Sequence, residues 1–260
     1  MIKLTLAILV ACSIILLYSA SASSGLANRL YMIKNTISKD YGNFYSTGNS
    51  GQLMAGIAFA GLLANTNVDM DIQKVYQTSF KNKNTDNLAK VTKPFGNGME
   101  TLPAYLGIAL IGEVIKNSHF DFTAGEWSRR SLRSITVGAP SLLFLQRALG
   151  ASRPKETHSH WQPFNDDNGV SGHSFMGAVP FLTAAHMCNN SLLRCSLYIG
   201  STLTGISRIN DNNHYFSQAA LGWWMAYLAS AGNEGIGNEE VVIAPGVIQE
   251  SVGLFMIFHF

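Results

Sequence analysis

At 260 residues, 47% of them apolar and only 13% charged, the chain is long enough to bury one full core. It is apolar for a soluble enzyme and polar for a multi-spanning membrane protein, so it reads as α-rich and close to membranes. A formal net charge of +2 with no basic block gives no footprint for a nucleic-acid partner.

The opening stretch has a lone Lys3, an apolar run from Leu4 to Tyr18, and Ala20 and Ala22 in an A-x-A arrangement. That is the pattern of a secretory signal peptide over residues 1–22, with an uncleaved anchor helix as the other reading. Residues 23–240 are then expected to form one helical domain, and 241–260 a β-prone tail. Ser24 to Ser50 reads as an extended lead-in with one short helix. Gln52–Ala64 and Leu102–Ile115 are apolar helix candidates, separated by a polar helical segment from Asp69 to Val91 and a turn at Gly96–Gly98. Each apolar run is about 13 to 15 residues, short of the roughly 20 that a bilayer span requires, and suits a helical core better.

Gly125 to Leu149 is the next helix, with Pro140 as an expected kink or break. Pro154 forces Arg153 into an extended conformation at its exit. The following loop carries His158, His160, Trp161, Asp166 and Asp167. Ser171 is a good N-cap for a helix running to Met187, which places Gly172 and His173 in a first turn whose free N–H groups suit an anion. Cys188 and Cys195 flank a turn, and an exported chain would permit a disulfide between them; two small buried thiols are the alternative. Leu192–Gly205 forms another apolar helix that exits at Ser207-Arg208. Asp211 is expected to cap the last helix, from about Asn212 to Ser230, with His214 in its first turn and Gln218 four residues on along the same face. The tail, with β-prone runs on either side of Gln249–Ser251, reads as a β-hairpin or two edge strands.

Arg153, Ser171, Gly172, His173, Arg208 and His214 are the residues on which chemistry converges. Guanidinium groups bind phosphate oxygens in parallel pairs, helix-end amides add to the clamp, and a neutral imidazole can attack phosphorus while a protonated one serves the leaving oxygen. Three spaced pieces, Arg153-Pro154, Ser171-Gly172-His173 and Ser207-Arg208 with His214, resemble the motifs of the type 2 phosphatidic acid phosphatase superfamily, which also includes bacterial acid phosphatases and vanadium haloperoxidases. The resemblance covers about Leu132 to Tyr227. It implies an all-α bundle of about six core helices whose motif-bearing ends form one pocket. It also implies His214 as a nucleophile forming a phosphohistidine, His173 as general acid, and Arg153, Arg208, Ser171 and Gly172 as the phosphate clamp.

Three positions depart from the family pattern. Gln146 stands in place of a lysine, with Arg147 about 100° around the helix as a neighbouring cation. Val170 replaces a proline. Gln218 replaces the aspartate that orients the nucleophile; its carbonyl can fix the tautomer but adds no charge.

The expected function is thus a metal-independent phosphatase that needs no cofactor, with vanadate as an inhibitor or analogue. It would act on a phosphorylated small molecule or lipid in the exported, periplasmic compartment, with membrane association or a multi-pass arrangement as alternatives. Two other classes are carried alongside: a non-catalytic phosphate or headgroup binder, and a metallohydrolase built on His158, His160 and Asp166 or Asp167.

Overall fold

The computed structural model describes residues 25–115, 121–156, 158–233, 242–248 and 251–257. The expected signal peptide lies outside the described residues. Nine α-helices are formed among them: α1 (Gly25–Phe44), α2 (Thr47–Ala64), α3 (Val68–Val75), α4 (Lys83–Thr92), α5 (Gly98–Val114), α6 (Glu126–Leu149), α7 (Gly172–His186), α8 (Ser191–Asn210) and α9 (Phe216–Gly232). A π-helical turn, Tyr76–Phe80, extends α3, and a 3₁₀ turn, Lys93–Gly96, follows α4. The helical class expected from the sequence is what forms. In the tail, the backbone of Val242–Ile248 and of Ser251–Ile257 is extended. The hairpin expected there stays an expectation.

Local sequence explains the helix ends. Asn82 and Thr85 form a capping box at the start of α4, and Asn97, Ser171 and Asn190 each accept a first-turn N–H at the start of α5, α7 and α8. Gly150 ends α6 with φ 62°, and a Cβ there would lie 1.8 Å from the Gln162 carbonyl oxygen. Only glycine tolerates both the left-handed backbone and that approach.

Helix α7 is apolar on nearly every side, with Phe175, Ala178, Val179, Leu182 and Ala185 fully buried, and it sits at the centre with α6, α8 and α9 packed around it. Leu221, Met225, Leu228 and Ala229 of α9 complete that core. Pro140 neither ends nor divides α6, contrary to expectation. Its missing N–H frees the Thr136 carbonyl, and the Tyr41 hydroxyl of α1 donates to that oxygen at 3.0 Å. Nearby, Arg133 grips the buried Asp40 through Nε at 2.7 Å and Nη2 at 2.6 Å, which fixes α1 on α6.

The apolar helices α2 and α5 are less interior than their composition suggests. Met54, Phe59 and Leu62 of α2, and Met99, Ile111 and Val114 of α5, are exposed. Among the described residues no single helix is long and apolar enough to cross a membrane, although Thr47–Ala64 and Val68–Phe80 would pass together as a pair bent by 73°.

The disulfide expectation is corrected. Cys188 and Cys195 are both free thiols. Cys188 lies in the turn, where its thiol donates to the Asn190 carbonyl at 3.6 Å and its own carbonyl is gripped by Arg194. Cys195 has already been carried into α8 and is exposed.

Candidate active site

The three sequence pieces meet at the N-terminal ends of α7 and α9. Ser171 caps α7, its hydroxyl accepting the Ser174 N–H at 3.3 Å. Gly172 and His173 therefore stand in a first turn whose amides precede the helix ladder. This matches the expected position.

His214 does not sit in a first helical turn. Asp211 closes α8 and does not open α9, which starts at Phe216. Between them Asn212 takes φ 58°, and His214 lies in the connecting loop, 6% exposed. The pairing with Gln218 forms nevertheless. Gln218 is the third residue of α9, and its Oε1 accepts from the Tyr215 N–H at 3.1 Å, the side-chain arm of a capping box. The same oxygen lies 2.8 Å from His214 Nδ1.

The orientation of that amide is fixed at both ends. Its Nε2 donates to the Ser152 carbonyl at 2.8 Å, an acceptor only, and its Oε1 faces the Tyr215 N–H, a donor only. Oε1 must then accept from His214 Nδ1–H, which leaves the Nε2 lone pair free. The Gln218 backbone carbonyl also accepts the Ser171 N–H at 2.9 Å. One glutamine therefore joins the Arg153 loop, the start of α7 and the nucleophile candidate. An aspartate could not donate to Ser152, so the residue that departs from the family pattern has its own positioning function.

Arg153 follows the Gly150 turn. Its Nε donates to Asn168 Oδ1 at 2.9 Å, and Asn168 is itself held by Asp166. Arg208 is 9% exposed at the end of α8, and its buried Nε has no hydrogen-bond partner. A guanidinium donor in that state is available to an anionic oxygen.

Burial and positive charge set the protonation of both histidines. His214 is pushed down to about 3, first by desolvation and then by Arg208, Arg153 and His173, against the Gln218 bond that raises it. His173 is pushed down to about 4 by burial, then by Arg208, Lys93 and Arg153. Both are thus neutral at moderately acid pH. That alters the expected division into one neutral and one protonated ring: a proton on His173 has to accompany a bound phosphate, whose charge offsets the arginines.

The structure does not bring all the candidates together. Gln146 does reach the start of α7, where its Nε2 donates to the Val170 carbonyl at 3.1 Å and lies 3.2 Å from where a Cβ on Gly172 would stand. Arg147 is exposed on α6, and its recorded bond is made by its backbone carbonyl, to the Phe164 N–H at 2.8 Å. The rings of His158 and His160 lie 4.7 Å apart and tilted by 40°, but among the described residues no group of three or more His, Cys, Asp or Glu side chains could hold a metal. The metallohydrolase alternative has no geometric support.

Sequence reading missed the residues that hold the site from outside. The Asp69 carboxylate of α3 accepts the Ser217 N–H at 3.0 Å and the Ser217 hydroxyl, so it caps α9 from another helix. Gln73 and Gln77 donate to the Ile209 carbonyl at 3.1 and 2.8 Å. Asp86 accepts from Asn210, and Lys93 pairs with Asp211. No motif marks these residues; the only signal available was an unusual density of Asn, Gln and Asp in the segment 67–97.

A family model described as the PAP2 superfamily matches residues 135–232. No match was found among curated proteins or among solved structures.

Proposed function

We propose, from the match of residues 135–232 to the PAP2 superfamily, whose members are in general phosphatases, that this chain hydrolyses a phosphomonoester or a lipid (pyro)phosphate through a phosphohistidine on His214. The observation that carries the proposal is the convergence of a neutral His214, with its Nε2 lone pair free, and two guanidinium groups on the N-terminal turn of α7.

In the proposed reaction, Arg153, Arg208 and the first-turn amides of α7 hold the non-bridging oxygens, where negative charge is spread in the transition state. The His214 Nε2 lone pair forms a bond to phosphorus as the bond to the leaving oxygen breaks. That oxygen takes the proton of His173, protonated in the complex. Water then attacks phosphorus and gives its proton to His173 as the P–N bond breaks, releasing phosphate and the free imidazole. Because His173 sits low on its own, the substrate monoanion is the form that delivers the proton, and activity should decline as the phosphate loses its second proton near pH 6.

An apolar cavity of about 630 Å³ between α2, α8 and α9, with Phe59, Ile206, Trp223 and Trp224 in its walls and Ser174 of α7 at its edge, supports a substrate carrying a hydrocarbon chain. The exposed apolar side chains of α2 and α5 support membrane association, and the N-terminal apolar run supports export to the periplasm.

Phosphate release from a long-chain phosphate and from a small soluble phosphomonoester, by wild type and by His214→Ala, tests the reading. The expected result is turnover lost in the variant, inhibition of wild type by vanadate, and preference for the long-chain substrate. Unchanged turnover in His214→Ala would overturn the nucleophile. Tight phosphate binding by wild type without turnover on either substrate would favour a headgroup-binding protein, which a Gln at 218 makes the natural second reading.

A further inference from the structure

The turn Lys93–Gly96 lies well before the family-matched segment, yet it is built against the site. Three contacts fix it. The buried Thr204 hydroxyl donates to the Thr92 carbonyl at 3.1 Å, and Phe95 meets Phe181 of α7 edge to face at 5.5 Å. Gly96 lies so close to His173 that a Cβ there would be 2.6 Å from the His173 carbonyl oxygen and 2.9 Å from its Cβ. Lys93, at the start of this turn, contacts the carboxylate of Asp211, three residues after Arg208 and three before His214. Its side chain is about two-fifths exposed, so the ammonium stands at the rim.

The position is asymmetric between the two histidines. Lys93 ranks with Arg208 and Arg153 among the charges that depress His173, whereas burial, Arg208, Arg153 and His173 account for the lowering of His214. With Gly96 packed directly on His173, the turn that carries Lys93 stands on the side of the proton donor. In an in-line displacement that is the side on which the leaving group departs. Gln146 and Arg147 supply no cation there, since one is a neutral amide and the other is exposed on α6.

We infer that Lys93 is a substrate-binding residue for an anionic leaving group, so that the site prefers diphosphates, cleaved at the bridging P–O bond, over monophosphate esters. The inference rests on the phosphatase reading above. Asp211 holds the ammonium in place, and the inner phosphate of an arriving diphosphate takes over as its partner. The reaction is the one already written with phosphate monoester as the leaving group: His214 Nε2 bonds to the outer phosphorus, the bridging oxygen leaves on the inner phosphate, and water regenerates His214. No other reactant is required.

The test compares farnesyl diphosphate with farnesyl monophosphate, which share one hydrocarbon chain, on wild type, Lys93→Ala and Lys93→Arg. Both substrates should slow in Lys93→Ala, but the ratio of kcat/KM for diphosphate over monophosphate should fall at least about tenfold, as expected for one lost charge-assisted hydrogen bond. Lys93→Arg should restore most of the ratio. The alkaline limb of the profile should also move to higher pH in Lys93→Ala, because a cation that depresses the proton donor His173 is gone; a merely structural role would leave that limb in place. Equal losses on the two substrates, or an unchanged ratio, overturn the inference and leave the phosphatase reading standing. Release of phosphate from neither substrate by wild type overturns both.

Discussion

The family-matched segment, 135–232, and the arm before it, 67–97, contribute to the same site in opposite ways. The matched segment carries the side chains proposed to react: Arg153, His173, Arg208 and His214. The arm carries their geometry. Asp69, Gln73, Gln77, Asp86 and Lys93 together bond to Ile209, Asn210, Asp211, Asn212 and Ser217, on both sides of His214. Asn212, held in left-handed backbone in that loop, accepts from Gln73 at 2.6 Å. A nucleophile on an irregular loop needs such external bonds, because a loop lacks the internal ladder that fixes a helix. The contrast shows that chemistry here is local to short motifs, while preorganisation is distributed over residues of no particular signature.

The largest effect should come from the matched segment. His214→Ala removes the bond-forming atom and is expected to lower turnover at least about a thousandfold, measured as phosphate release, while the melting temperature stays near that of wild type. Removing the arm's buried acceptor should do the reverse. Asp69→Ala removes the acceptor of the Ser217 amide and hydroxyl in a site that is fully buried, so it leaves two donors unpaired. A stability loss of about 2 to 4 kcal/mol is expected by chemical denaturation, with a smaller fall in turnover as His214 loses its fixed loop. Should Asp69→Ala abolish turnover with no loss of stability, the carboxylate would belong to the chemistry and the comparison would fail.

Gln218 lies where the two contributions meet, and replacing it sharpens the distinction. In Gln218→Glu a carboxylate still accepts from His214 Nδ1, but its second oxygen faces the Ser152 carbonyl where an amide donated before. The expected cost is about 1 to 3 kcal/mol of stability. The new charge favours the imidazolium, so the pH at which His214 loses its nucleophilic form should rise. Both changes are predicted together, by denaturation and by the acid limb of the activity profile. A gain in stability would show that the Ser152 bond has no positioning role.

The difference between the regions also explains what the sequence disclosed. Ser171-Gly172-His173 was legible because an N-cap and a first turn are set by neighbours in sequence, and the helix formed where the cap predicted. The start of α9 was not legible in the same way. Asp211 and Asn212 have the composition of a cap, but the carboxylate that caps α9 is Asp69, more than a hundred residues away, and propensity cannot report a partner at that distance. Pro140 misled for the same reason: its freed carbonyl was satisfied by Tyr41 from another helix. Arg147 was the nearest cation in sequence to Gln146, whereas Lys93, one of the cations that act on His173, comes from a turn that only the tertiary fold packs against that histidine.

The smallest effect is a slope of stability against pH. His173, His186 and His214 have pKa values of about 4, 4 and 3 in the folded chain, lowered chiefly by burial, against about 6.5 when unfolded. Between about pH 4 and 6.5 the unfolded chain therefore binds more protons, and stability must fall as the pH is lowered through that window. Melting temperatures recorded from pH 7 to 4.5 should decline steadily. His186 packs against Tyr198 and Tyr227, away from the phosphate site, so His186→Phe should make the decline shallower without altering the limbs of the activity profile. Lys93→Ala should also make it shallower, but less, because the ammonium is one of several causes acting on His173 alone. If the arm's lysine influences the matched segment only through backbone packing, its removal will lower the melting temperature equally at every pH; a difference confined to the acid side shows that its charge reaches the histidine.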